Sequence, residues 1–127
     1  MHQNGKQIVF VVDDDESVRR SMKRLLRSAG FDAETFASAE EFLRADCSDT
    51  GACVIADAMM PGLGGVELCE RLIETGSKLP VILVTAYDTA EAREHARRIG
   101  VAGYFRKPVD DQALLDAIQW ALERGSV

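Results

Sequence analysis

The stretch Cys53-Val54-Ile55-Ala56-Asp57-Ala58-Met59-Met60-Pro61 decides how this chain folds. Its first four residues run without the polar alternation of a half-exposed strand. That predicts a strand covered on both faces, as in a parallel sheet. A carboxylate stands where the run stops, and Pro61 with Gly62, Gly64 and Gly65 then breaks the chain into a loop. Asp57 is therefore expected at the carboxyl end of a central strand, where open α/β sheets place their ligands. Burying an unpaired charge is costly, so other parts of the chain must compensate it.

On the amino-terminal side, residues 8–12 are an unbroken apolar, β-branched run ending in Asp13, Asp14, Asp15 and Glu16. From Ser17 the apolar residues Val18, Met22, Leu25, Leu26 and Ala29 recur at helical spacing, with Gly30 as the stop. Asp15 and Glu16 read as helix-start residues favoured by the dipole, and the arginines of this helix as a solvated face. Residues 31–36 predict a second strand. Ser38 followed by Glu41 predicts a capping box opening a short helix through Leu43, and 46–51 a polar loop.

On the carboxyl-terminal side, Val66, Cys69, Leu72 and Ile73 mark a third helix ending near Gly76. A buried strand follows at 81–85, then a helix capped by Thr89 and stopped by Gly100. That helix has only Ala92, Ala96 and Ile99 to bury. A fifth strand is expected at 101–105, and a last helix at 110–124 with Leu114, Leu115, Ile118, Ala121 and Leu122 inward and Trp120 outward. Strand and helix alternate five times. The expected fold is a flavodoxin-like, doubly wound (βα)5 parallel sheet in the order 2-1-3-4-5, one unit over 7–124 with tails at 1–6 and 125–127.

In that order the first and third strands meet at the switch point, bringing Asp13, Asp14 and Asp57 to one crevice. Like charges this close need a cation, and all-oxygen ligation suits a hard ion, Mg²⁺ above all. Thr85 leaves the fourth strand and Lys107 follows the fifth. A hydroxyl and an ammonium facing a metal-bound carboxylate form a cradle for a phosphoryl group arriving on Asp57, and carboxylate nucleophiles of this kind are established chemistry. The first loop has no glycines, so it is no dinucleotide fingerprint.

With these residues in order, the sequence resembles the receiver domains of bacterial two-component response regulators over residues 7–124. Val11 to Glu16 and Ser38 to Leu43 are most similar to the nitrogen-fixation-regulator (FixJ) type. The resemblance implies that Asp57 accepts a phosphoryl group from a phosphohistidine on a sensor kinase. It implies that Asp14, Asp57 and the Met59 backbone carbonyl ligate Mg²⁺, with Asp13 holding a metal-bound water. Lys107 would contact the phosphate, often through a cis Lys107–Pro108 peptide. Thr85 would reorient and Tyr104 follow it inward, switching the surface of the fourth helix, fifth strand and fifth helix. Met59 and Tyr87 would tune dephosphorylation, and Gly64, where many members carry an acid or small polar residue, would loosen its loop. Such a domain catalyses its own phosphorylation and dephosphorylation but is primarily a signalling switch. It implies kinase docking on the first helix and a possible phosphorylation-dependent homodimer, and the FixJ type usually continues into a DNA-binding domain.

Two other readings use the same residues: a metal-dependent phosphohydrolase with an Asp nucleophile, and a degenerate receiver that serves only for docking. The first commonly needs a second Asp where Met59 stands, and the intact Asp13, Asp14, Asp57, Thr85 and Lys107 argue against the second. Composition narrows the class further. A net charge of −6 argues against nucleic-acid contact by this domain. Three cysteines without a C-x-x-C pair indicate neither disulfides nor zinc. With no leader-like start and no run of transmembrane length, a cytoplasmic location is expected.

Overall fold

The computed structural model describes residues 7–45 and 51–125. Five parallel strands, β1 (Ile8–Val12), β2 (Asp32–Phe36), β3 (Ala52–Asp57), β4 (Val81–Thr85) and β5 (Gly103–Arg106), form one sheet in the order β2-β1-β3-β4-β5. Helices α1 (Glu16–Ser28), α2 (Ala39–Arg44), α3 (Gly65–Glu74), α4 (Ala90–Ile99) and α5 (Asp111–Gly125) connect and follow them. This is the flavodoxin-like topology that the alternation of apolar runs predicts.

The unbroken apolar strands are explained by a core on each face of the sheet. Phe10, Val12, Val54, Ala56 and Leu83 point to one face and pack against Phe42 of α2, Leu68 and Leu72 of α3 and Ala96 of α4. Val9, Val11, Ile55, Ile82 and Val84 point to the other, against Leu26 of α1 and Leu114, Ile118 and Leu122 of α5. Side chains alternate along a strand, so a strand buried on both faces has no polar position to spare. On the first face Phe10, Phe36 and Phe42 lock α2 down, with ring centroids 5.3 to 6.1 Å apart at tilted and edge-on angles.

Some boundaries move, each for a local reason. α1 starts at Glu16 because Asp15 is its cap, with Oδ1 accepting from the Ser17 and Val18 N–H groups. β5 starts at Gly103, because Gly100 ends α4 at a φ of 83° and the Val101 N–H is spent on the Ala96 carbonyl. Ser38 caps α2 through Glu41 N–H, but the Glu41 carboxylate reaches the Ala37 N–H, one residue before the cap. Ile73 is not inward: it is exposed, and Leu68 fills the core position on α3. Gly125 belongs to α5 and not to a tail. The expected tails at 1–6 and 126–127 and the loop at 46–50 lie outside the described residues. Trp120 faces outward, half-exposed, with the Arg124 guanidinium 4.7 Å from its ring centroid. Among the described residues no helix is long and apolar enough to cross a membrane.

Candidate functional site

Register builds the site. Val12 pairs with Ala56, and Asp57 with Val84, so β1, β3 and β4 end at nearly the same level. Each strand delivers its first polar residue there. Asp13 is 2% exposed, Asp57 8% and Thr85 1%, the three buried polar residues among those described. Asp14 is exposed at the mouth. Carboxylate oxygens of Asp13, Asp14 and Asp57 all lie within 4.8 Å of one another, so the three acids expected to converge do so.

Lys107 supplies the counter-charge from the far edge. Its Nζ donates to Asp57 Oδ2 at 2.8 Å and to Asp13 Oδ2 at 3.3 Å. Its own N–H donates to the Thr85 carbonyl at 2.7 Å, and the Lys107–Pro108 peptide is cis. Burial raises the Asp13 carboxyl above its ordinary range, against the Asp15 N–H bond and the Lys107 charge, which pull it down. For Lys107 burial works to lower the ammonium, but the bond to Asp57 and the charges of Asp13 and Asp57 outweigh it, and the net direction is up. Three acids facing one ammonium leave negative charge in excess. The donor set is all oxygen, so these residues fit a hard divalent cation.

The loop after Asp57 is held close. Met59 N–H donates to Asp57 Oδ1 at 3.0 Å, Ala58 N–H to the Val84 carbonyl at 2.8 Å and Gly65 N–H to the Ala58 carbonyl at 3.2 Å. Gly64 tightens this loop, contrary to the expectation that it loosens it. A Cβ there would lie 2.4 Å from the Ala58 carbonyl oxygen, and its N–H donates to Glu67 Oε1 at 3.0 Å. The Met59 and Tyr87 side chains are 61% and 69% exposed beside the mouth, and Tyr87 N–H donates to Thr85 Oγ1 at 2.9 Å.

Tyr104 is half-buried on β5, with the Arg93 guanidinium 5.3 Å from its ring centroid. Arg93 also pairs with the Asp88 carboxylate. The Tyr104 hydroxyl and Asp88 Oδ1 are both buried without a hydrogen-bond partner. They are close enough to influence each other, short of bonding geometry: burial and then the Asp88 carboxylate push the phenol up.

Sequence reasoning passes over four residues around the site. Arg19 is not a solvated arginine, since its guanidinium donates to the Asp13 carbonyl at 2.8 Å. Asp88 and Arg93 flank Tyr104, and Glu40 accepts from Leu63 N–H in the loop beyond Asp57. Asp88 and Glu40 look like ordinary acids at a helix start, and a partner 23 residues away leaves no local signature.

Buried acids at the ends of β1 and β3, a hydroxyl at the end of β4 and a lysine after β5 define a class of phosphorylation-controlled domain. Residues 9–119 match the family described as the response regulator receiver domain, and the chain belongs to that family. It is 45% identical over 114 residues to the transcriptional regulatory protein TdiR of Thauera aromatica, covering 90% of this chain and 50% of that one. It is 35% identical over 118 residues to the transcriptional regulatory protein FixJ of Azorhizobium caulinodans, covering 93% and 56%. Among solved structures it is similar to the response regulator StyR (40% identity, TM-score 0.86, covering 96% of this chain and 62% of that one). It is also similar to FixJ-N (30% identity, TM-score 0.84, covering 94% and 95%). The chain spans about half the length of the curated relatives it matches. The pocket of Asp13, Asp14 and Asp57 fits the phosphorylation site of a receiver domain.

Proposed function

We propose that residues 7–124 act as one phosphorylation switch with Asp57 as the phospho-acceptor. The observation that carries this is the buried Asp57 carboxylate bound by Lys107 at 2.8 Å within a cluster of three acids. An Asp57 oxygen attacks phosphorus and forms the new O–P bond. The P–N bond to the donor histidine breaks, and the imidazole nitrogen leaves with the electron pair. Lys107 stays beside the acceptor and neutralises charge that develops on the transferred group. Thr85 Oγ1 already accepts from Tyr87 N–H, which leaves the hydroxyl proton to donate to a phosphoryl oxygen.

Mg²⁺ is the cofactor of this reading, held by Asp14, Asp57 and the Met59 carbonyl, with Asp13 acting through a water; when bound it offsets charge on the phosphoryl oxygens. The donor partner is a sensor kinase, the general partner of response-regulator receivers. Once Asp57 carries the group, Thr85 turns toward it, Tyr104 follows inward and the face of α4, β5 and α5 changes, with a homodimer as one outcome. Met59 and Tyr87 set access of water and hence the lifetime. A cytoplasmic location and control of transcription belong to the same proposal, the latter supported by the printed names of the regulatory relatives. The phosphohydrolase reading lacks its second Asp, because Met59 stands there.

The test is incubation with acetyl phosphate, with and without Mg²⁺, read by intact mass. A Mg²⁺-dependent gain of one phosphoryl group that disappears in Asp57→Asn supports the switch. No gain in the unmodified protein under any Mg²⁺ condition points to a docking module.

A further inference from the structure

The loop between Asp57 and α3 carries the Met59 carbonyl and borders the acceptor, so its position matters to the site. Its ends are pinned by Gly65 N–H on the Ala58 carbonyl and by Gly64 N–H on Glu67 Oε1, a residue of the helix that continues the loop. Its tip is held from elsewhere. Glu40, on α2, accepts from the Leu63 N–H through Oε2 at 3.2 Å, across 23 residues of sequence.

Three features make this contact a built one. Glu40 is half-buried and follows Ala39, which is fully buried, while Phe42 two residues on is 3% exposed and packed at tilted and edge-on angles against Phe10 and Phe36. The helix that presents the carboxylate is thus anchored to β1 and β2. Gly62 then clears the way. Its φ of 77° is one that side chains rarely adopt, and a Cβ there would lie 2.6 Å from Glu40 Oε2. The carboxylate occupies the space that a side chain at position 62 would need.

We propose that Glu40 is a positioning residue for phosphoryl transfer: it holds the 62–63 turn and so sets the Met59 carbonyl beside Asp57. This rests on the reading of Asp57 as acceptor. Groups that orient metal ligands and reacting carboxylates have effects out of proportion to their own contact energy. A free surface glutamate would have no such effect.

The experiment compares the unmodified protein with Glu40→Ala and Glu40→Gln. Amide exchange at Leu63 and Met59 is followed in metal-free protein, the Mg²⁺ midpoint by amide chemical shift, and phosphorylation by acetyl phosphate across Mg²⁺ concentration. Glu40→Ala is expected to exchange Leu63 about fivefold faster. Its Mg²⁺ midpoint is expected to rise about tenfold, with the phosphorylation rate at low Mg²⁺ falling in parallel and recovering at saturation. Glu40→Gln keeps an acceptor oxygen and should return toward the unmodified values. Were Glu40→Ala only a folding defect, the loss would persist at saturating Mg²⁺ and Gln would not rescue it. Unchanged exchange, midpoint and rate in Glu40→Ala, with Asp57 still phosphorylated, overturns the inference and leaves the acceptor reading standing. If the unmodified protein takes no phosphoryl group, the acceptor reading fails, and the exchange and Mg²⁺ measurements still decide whether Glu40 holds the loop.

Discussion

Lys107 and Asp57 lie 50 residues apart in sequence, and their side chains meet at 2.8 Å across the top of the sheet. The lysine comes from beyond β5 at one edge and the acid from the central strand β3, so the pair spans β4 and brings its only intervening polar side chain, Thr85, into the same pocket. If this ammonium neutralises the transferred group, Lys107→Ala should slow phosphorylation by acetyl phosphate about 100-fold, as loss of one charge-stabilising donor does elsewhere. Single-turnover kinetics at saturating Mg²⁺ will measure it, and a rate within a few-fold of normal would assign Lys107 to stability alone.

The exposed Met59 and Tyr87 side chains stand beside the mouth of the Asp57 pocket, where their bulk hinders an attacking water and neither carries a carboxylate or amide to position it. Replacing Met59 with Asn and Tyr87 with Glu is expected to shorten the phosphorylated lifetime at least about tenfold, since a positioned polar group assists attack. Decay of the phosphorylated mass after removal of donor reads this directly. An unchanged lifetime would be evidence against a tuning role for both positions.

Gly64 leaves no room for a methyl group. Gly64→Ala would drive its Cβ into the Ala58 carbonyl oxygen, and Gly65→Ala would meet the Asp57 carbonyl oxygen and Leu83 Cδ2, each at 2.7 Å. Each substitution should cost about 1–3 kcal/mol in urea unfolding, the usual range for overpacking against atoms that cannot retreat.

Burial pushes the Cys53 thiol up to about 12 and raises Cys69 as well, with the Glu70 charge adding to the latter. The folded state keeps its proton where the unfolded chain, near about 8.5, has lost it. Below that value both states are neutral and the stability contributed is complete. As pH rises from there towards about 12, stability is lost, on the order of 1 kcal/mol per pH unit. Urea unfolding of the unmodified protein and Cys53→Ala at pH 8 and pH 10 should show the steeper fall in the former. Peptide mapping after thiol labelling at pH 8 should find Cys53 unmodified until the protein unfolds.

Only Ala96 of α4 is fully buried, whereas α5 buries Leu114, Ile118, Ala121 and Leu122. Helix stability in a domain comes mostly from such burial. Amide exchange along α4 should therefore be faster than along α5, and phosphorylation of Asp57 should change it. Equal protection with and without the phosphoryl group would exclude α4 from the switch.

The sheet and the acids could be read from the chain, because burial on both faces imposes continuous apolar runs that no other element of this length needs. The runs of β1, β3 and β4 each end in a polar residue that the site uses, so Asp13, Asp57 and Thr85 announce themselves by position, while Lys107 stands one residue past the end of β5 before Pro108. The order 2-1-3-4-5 is one of the doubly wound orders that right-handed crossovers allow, and the pairing of β1 with both β2 and β3 bears it out. Tertiary packing decided the rest. Glu40, Arg19 and the Asp88–Arg93 pair are charged residues at or near helix starts, where the chain looks the same whether such a side chain meets solvent or a backbone group across the site. Gly64 differs in the same way. Its reason is a carbonyl oxygen that only the folded loop brings within 2.4 Å of a would-be Cβ, and distances of that kind belong to pairs of segments rather than to any one of them.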